Sequence, residues 1–318
     1  MIIRAKAPLR LGLAGGGTDL SPYCDEYGGA VLNATINMFA YCTIETIHGD
    51  EIVFEAKEVN EQIKIDRTEQ IDLSKISNGL KLHLGVYQRI KDMYGKQLTS
   101  AFYLTTYNEA SMGSGLGGSS TMVVAMLKAY VEWLNLPLGE YDIAHLAWEI
   151  ERVDLKLAGG KQDQYAAAFG GFNFIEFGAD NKVIVNPLRI KRWIRNELED
   201  SLILYHTGKS RESANIIKQQ IQAVHDDLNK LQGLHDLKGI AYKMKEALLK
   251  GDFYKFGETL KQGWLAKKCT ADVISNPDLE KIYETVMLSG GISGKLSGAG
   301  GGGFFMFYVN PAKRPDVM

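Results

Sequence analysis

Three glycine-rich loops and a handful of acidic and hydroxyl residues hold the chemistry this chain could perform. The loops are Gly15-Gly16-Gly17, then Gly113-Ser114-Gly115-Leu116-Gly117-Gly118-Ser119-Ser120, then Gly298 to Gly303, with Gln162-Asp163-Gln164 between the last two. Glycine tolerates positive φ and lets a ligand approach the backbone amides, and amides at a helix start attract phosphate. The ordered set reads as a site for a phosphorylated ligand.

The middle loop runs into Ser119 to Leu134, apolar nearly all round with Met122, Met126, Ala129 and Trp133 at helical spacing, so a buried helix begins where the loop ends. Ser119 and Ser120 at that start can cap the helix or ligate Mg²⁺, which suits a triphosphate. Gly113-x-Gly115-x-x-Gly118 also has the dinucleotide spacing. Asn108 to Met112 separate it from the preceding strand, however, and no strand with an acidic end follows at the required distance. That argues against a dinucleotide-dependent oxidoreductase. Gly208-Lys209-Ser210 is not the tail of a P-loop, because the earlier glycine would have to stand at Ile203.

Tyr141 to Leu157 reads as a helix whose apolar stripe is Ile143, Leu146, Ala147, Ile150, Val153 and Leu157, stopped by Gly159-Gly160. Glu151 falls on its buried edge, unlike Glu149. A buried carboxylate needs a cation, either a core arginine or Mg²⁺, and the neighbouring glycine loop favours the metal. Asp163 precedes an apolar helix from Gln164 to Phe169 and reads as its N-cap, while also offering a carboxylate that can orient a substrate hydroxyl. Arg10 reads as a strand-end charge, Asp19 as a turn residue, and Lys209 and Arg211 equally as solvated charges or phosphate ligands.

The elements that must position these residues divide into two domains, 1–185 and 186–318, of an α+β chain. Strands are expected at Ile2 to Ala7, Phe39 to Ile47, Ile52 to Ala56 and Ala101 to Tyr107. The second half reads as a strand from Ser201 to His206, helices near Arg211 to Leu231, Leu237 to Lys250 and Phe253 to Lys268, and a helix capped by Asn276 with Pro277 at its first position. It closes with two antiparallel strands, the second Phe304 to Val309, joined by the third loop. Asn310 to Met318 reads as the start of a helix, so a further C-terminal helix is expected.

Composition is that of a soluble globular protein, 45% hydrophobic and 23% charged, with no apolar stretch of membrane-spanning length and no export signal. The net charge of -2 offers no general attraction to nucleic acid. Cys24, Cys42 and Cys269 have neither zinc nor CxxC spacing and are expected to be reduced, in a cytoplasmic protein. A homodimer is left open.

Taken together, Pro8-x-Arg10 through Gly15-Gly16-Gly17-Thr18-Asp19, the Gly113 to Ser120 loop, Gln162-Asp163-Gln164 and Lys295 to Gly302 resemble the GHMP small-molecule kinases across the whole chain. The resemblance implies a ribosomal-protein S5 domain 2-like N-terminal domain, a ferredoxin-like C-terminal domain, and ATP with Mg²⁺ bound between them. It implies that Gly113 to Ser120 wraps the ATP phosphates, that Ser119 (with Ser120 next in register) and Glu151 hold Mg²⁺, and that Asp163 is the catalytic aspartate with Arg10 against it. Asp19, beside Gly17 and Thr18, would bind a sugar hydroxyl, and Gly300 would support the site from the third loop. Leu9 to Cys24 and Gly160 to Gly171 are most similar to the branch acting on heptose 7-phosphates, which implies phosphorylation of the anomeric hydroxyl of a sugar phosphate to a 1,7-bisphosphate. Lys161 is then the first candidate for the 7-phosphate, with Lys209 and Arg211 behind it. The alternatives are a fucokinase- or galactokinase-like 1-kinase of an unphosphorylated sugar and a regulator without turnover, the latter disfavoured by Arg10, Glu151 and Asp163 occurring together.

Overall fold

The computed structural model describes residues 1–69, 71–111, 113–208 and 213–318. Lys209 and Arg211 lie outside the described residues.

Ten strands form two sheets among the described residues. The first sheet contains β1 (Ile2–Ala14), β2 (Gly29–Ile47), β3 (Glu51–Ala56), β4 (Glu61–Asp66), β5 (Ala101–Asn108), β6 (Phe172–Phe177) and β7 (Val183–Pro187). Its order is β4-β3-β5-β2-β6-β7, with β1 also paired to β2. β2 is long enough to serve three partners, meeting β6 through Gly29 to Ala34, β5 through Ala40 to Ile47, and β1 along most of its length. The second sheet has the order β8 (Leu202–His206), β10 (Phe304–Val309), β9 (Gly291–Leu296), all antiparallel, so the third glycine loop joins β9 to β10 as expected.

The helices are α1 (Tyr23–Tyr27), α2 (Lys81–Tyr94), α3 (Gly118–Leu134), α4 (Glu140–Glu149), α5 (Gln162–Phe169), α6 (Arg192–Ser201), α7 (Ser213–Asp226), α8 (Leu228–Lys250), α9 (Phe253–Cys269), α10 (Pro277–Leu288) and α11 (Arg314–Val317). α3 is buried from Ser120 to Leu127 without interruption, the consequence of an apolar helix laid against β1 and β2. β7 carries the first sheet two residues past position 185. Leu9, Leu11 and Leu13 of β1 share one core with Leu237 and Ile240 of α8, Leu260 of α9 and Met306 of β10, so the two sheets are joined by packing rather than by a linker. No described helix is long and apolar enough to cross a membrane.

Three expectations change. The helix from Tyr141 ends as an α-helix at Glu149 and continues as a π-helical turn, Ile150–Asp154. The wider turn rotates Val153 out of the apolar stripe to 53% exposure while leaving Glu151 1% exposed. Asp163 is not an N-cap; Lys161 occupies that position and Asp163 sits in the first turn of α5. The break after α7 falls at Asp227, whose carboxylate accepts from Asn229 N and Lys230 N and starts α8.

Candidate active site

The described residues enclose a cavity of about 620 Å³ between the loops, lined by every residue of Gly113 to Ser120 except Leu116 among those described. Leu116 faces the core instead, and its carbonyl accepts the Arg10 amide at 3.1 Å. Gly113, Gly115 and Gly117 have φ of +77°, +82° and +80°, a left-handed sequence that turns the chain into α3. The third loop clamps this turn from the second sheet. Ser297 Oγ donates to the Gly115 carbonyl at 2.9 Å and Phe304 N to the Ser114 carbonyl at 3.0 Å.

Arg10 and Asp163 meet as the resemblance implies. The guanidinium gives Nε and a terminal nitrogen to Asp163 Oδ1 at 2.7 and 2.6 Å, while its other terminal nitrogen donates to the Gly115 carbonyl at 2.7 Å. Arg10 is 3% exposed while the Asp163 side chain is 24% exposed, so this is a charge-assisted pair at the cavity wall rather than a strand-end charge. A side chain on Gly117 would sit 3.3 Å from the Asp163 carboxyl carbon, so glycine there brings the middle loop against the aspartate.

Glu151 is aimed at the same cavity by the π-helical turn. Gln164 Nε2 donates both to Glu151 Oε2 at 2.5 Å and to Ser120 Oγ at 3.1 Å, which places Ser120, rather than the exposed Ser119, beside the glutamate. Ser119 also lines the cavity but belongs to its rim. Of the two serines, Ser120 is the one that Gln164 ties to Glu151. Arg152 lies 3.6 Å from Glu151 Oε1 and donates to the Gly160 carbonyl.

Asp19 also lines the cavity, yet its carboxylate is heavily engaged. It accepts from Gly17 N at 3.1 Å, Lys161 N at 3.0 Å, Gln162 N at 3.1 Å and Gln162 Nε2 at 3.3 Å. It thereby satisfies the unpaired amides at the start of α5 from 142 residues away and fixes the helix that carries Asp163. Thr18 is buried, its hydroxyl shared between the Gly15 and Ala30 backbones, and it does not reach the cavity. Gly300 likewise packs against Ile274, away from the lining.

Lys161 is the largest departure. It is 2% exposed, with Nζ 3.6 Å from Asp25 and 5.3 Å from the Trp148 ring centre, and it is not part of the cavity wall. A lysine at the N-cap of α5 points behind the helix, where Asp25 neutralises it. Two other lysines come forward. Lys267 of α9 lines the cavity and donates to the Gly16 carbonyl at 3.0 Å, and Lys295 of β9 is buried with Nζ donating to the Gly12 carbonyl at 2.7 Å. Burial, then the neighbouring charges of Lys267 and Arg10, push the Lys295 amine down to about 7. Sequence reasoning missed both because a lysine in the last turn of an amphipathic helix, or beside a glycine loop, looks like ordinary surface charge. At the far end Val59, Leu82, His83 and Tyr107 form the wall, and burial holds His83 down to about 4.

Residues 81–171 match the family of GHMP kinases N terminal domains and residues 244–317 that of GHMP kinases C terminal domains. The chain is 48% identical to the D-glycero-alpha-D-manno-heptose 7-phosphate kinase of Campylobacter jejuni, over 99% of this chain and 92% of that protein. It is 26% identical to the L-fucokinase/L-fucose-1-P guanylyltransferase of Bacteroides fragilis, over 99% of this chain and 35% of that one. The crystal structure of a D-glycero-D-manno-heptose 1-phosphate kinase from Bacteroides thetaiotaomicron superposes with a TM-score of 0.82 at 45% identity, covering all of this chain and 91% of that one. A glycine loop that opens a buried helix, an Arg10–Asp163 fork against it, and family matches in both halves agree: the chain belongs to the GHMP kinases, ATP-dependent phosphotransferases with an alcohol group as acceptor.

Proposed function

We propose that the protein transfers the γ-phosphoryl group of ATP to the anomeric hydroxyl of D-glycero-D-manno-heptose 7-phosphate, giving the 1,7-bisphosphate and ADP. The observation that carries this reading is the placement of Asp163 against Gly117 of the phosphate loop, with Arg10 bridging the two. The heptose-phosphate kinases similar to this chain support the acceptor class. The anomeric hydroxyl is the most acidic of a sugar's hydroxyls, which suits a carboxylate as proton acceptor.

In this mechanism Arg10 takes Asp163 Oδ1, leaving Oδ2 to accept the hydroxyl hydrogen. The sugar oxygen attacks the γ-phosphorus, the bond to the ADP oxygen breaks, and the proton ends on Oδ2. Such a transfer depends on in-line positioning and on neutralising charge on the phosphoryl oxygens. The amides of Gly113 to Ser120 and the start of α3 supply fixed positive dipoles there. Val59, Leu82 and Tyr107 form the apolar end suited to the adenine.

The residues also fit Mg²⁺. Glu151 and Ser120 supply a carboxylate and a hydroxyl oxygen, Gln164 holds both, and Gln164 Oε1 is buried with no protein partner among the described residues. Two protein oxygens completed by triphosphate and water is the usual hard-cation arrangement, and the chemistry Mg²⁺ supplies when bound there is neutralisation of the triphosphate.

One observation favours a sugar 1-kinase of an unphosphorylated acceptor: Lys161 is withdrawn from the cavity. An ADP-release assay across heptose 7-phosphate, heptose, L-fucose and galactose separates the two, with product position read by phosphorus NMR. Preference for heptose 7-phosphate is expected. Asp163→Asn should lower kcat by at least about 10³-fold while ATP still binds; near-normal turnover would remove Asp163 from its role.

A further inference from the structure

We propose that Lys267, with the Gln220 carboxamide beside it, holds the distal phosphate of the sugar acceptor and so sets the preference for phosphorylated sugars. The inference rests on the acceptor being a sugar phosphate bound in this cavity.

Among the described residues the cavity wall contains three permanent cations, Arg10, Arg152 and Lys267. Arg10 is committed to Asp163 and the Gly115 carbonyl. Arg152 is engaged by Glu151 and by the Gly160 carbonyl. Lys267 stands with Gly17, Asp19 and Gln220 at the sugar end.

The local shape is that of a small anion seat. A Cβ on Gly17 would lie 3.0 Å from Lys267 Nζ, 3.4 Å from Gln220 Nε2 and 3.7 Å from Gln220 Oε1, so an ammonium and a carboxamide stand side by side against the glycine backbone at this part of the wall. Both side chains are nearly fully buried, 4% and 2% exposed, which holds them in place. Gln220 Nε2 donates one hydrogen to Thr270 Oγ1 at 2.7 Å, fixing the amide with its second hydrogen to offer. Lys267 and Arg10 each also work against a charge on Lys295, in addition to its burial. An arriving phosphate relieves that repulsion.

The test compares kcat/KM of wild type, Lys267→Met and Lys267→Arg on heptose 7-phosphate and on unphosphorylated heptose. Wild type should prefer the phosphorylated sugar, Lys267→Met should cut that preference ratio at least tenfold, and Lys267→Arg should keep most of it. Equal losses on both sugars in Lys267→Met would show that the lysine only braces Gly16, and would overturn the inference. Absence of any preference in the wild type would instead defeat the proposed acceptor, before a variant is needed. A wild-type crystal with heptose 7-phosphate gives an arm independent of variant folding: the phosphate within hydrogen-bond distance of Lys267 Nζ supports the assignment, and the phosphate seated on another cation refutes it.

Discussion

Replacing Gly303 by alanine tests whether the third loop sets the geometry of the second. Gly303 has φ of +88°, and a Cβ there would lie 2.3 Å from the Ser114 carbonyl oxygen and 2.7 Å from its carbon. Backbone cannot give way as a flexible side chain can, so the two loops must part until that contact exceeds 3.0 Å, a shift of about 0.7 Å. Positive φ costs an alanine roughly 1–2 kcal/mol, and stretching the Phe304 N to Ser114 O bond costs about 1 kcal/mol more. Gly49 provides the control, with φ of +108° and nothing within 4 Å of its Cβ. Urea unfolding should show Gly49→Ala down by about 1–2 kcal/mol and Gly303→Ala by about 2–3 kcal/mol. Kinetically they should diverge further, because displacing phosphate-cradling amides by about 1 Å costs on the order of 10²-fold. ADP release at limiting ATP should therefore fall about 10- to 100-fold in Gly303→Ala and stay at the wild-type level in Gly49→Ala. If both variants keep wild-type kcat/KM for ATP, the interlock of the loops is irrelevant to catalysis and the reasoning fails.

Ser120→Ala should raise the Mg²⁺ concentration for half-maximal rate by about tenfold or more, and Ser119→Ala by much less; a reversed ranking would return the metal role to Ser119. Asp19→Asn replaces a carboxylate that accepts from the start of α5, so it should cost about 1–3 kcal/mol in urea unfolding together with lost turnover, whereas a change confined to the sugar KM would make Asp19 a ligand alone. Lys295 has a folded-state pKa of about 7 against an ordinary 10.5, so its charging opposes folding fully below pH 7, progressively less as pH rises, and not at all above pH 10.5. Lys295→Met should flatten the rise of stability between pH 7 and 9, and an unchanged slope in urea midpoints would contradict the burial argument.

What could be read in advance was whatever a few adjacent residues decide. The middle loop, the helix it opens and the buried edge carrying Glu151 follow from local spacing, and α10 starts at Asn276-Pro277 as its cap chemistry dictates. Contacts across the chain were not legible. Asp19 looks like a turn residue until α5 presents its amides to it, and Lys161 looks like a phosphate ligand until Asp25 and Trp148 close around it. α6 escaped notice although Ile194 and Leu198 stand at helical spacing, because the helix is short and mostly polar. The π-helical turn left no periodic signal, since one widened turn only shifts the phase of the residues after it.

The glycines have a second meaning beyond ligand approach. A Cβ on Gly15 would lie 1.9 Å from the Ala30 carbonyl, one on Gly117 would press on Asp163, and one on Gly303 would strike Ser114. In each case the obstacle is the protein itself: Gly15 lies against β2, Gly117 against Asp163 of α5 and Gly303 against the middle loop, so packing as well as ligand approach calls for glycine there. The contact is what brings Arg10, Asp163 and Ser297 to one point, with the Gly115 carbonyl accepting from both Arg10 and Ser297. The Arg10–Asp163 pair, set by β1 and α5 and braced by Ser297 at the β9–β10 loop, holds its geometry only while both sheets remain docked. Separating the halves should therefore abolish turnover even where each half keeps its own sheet.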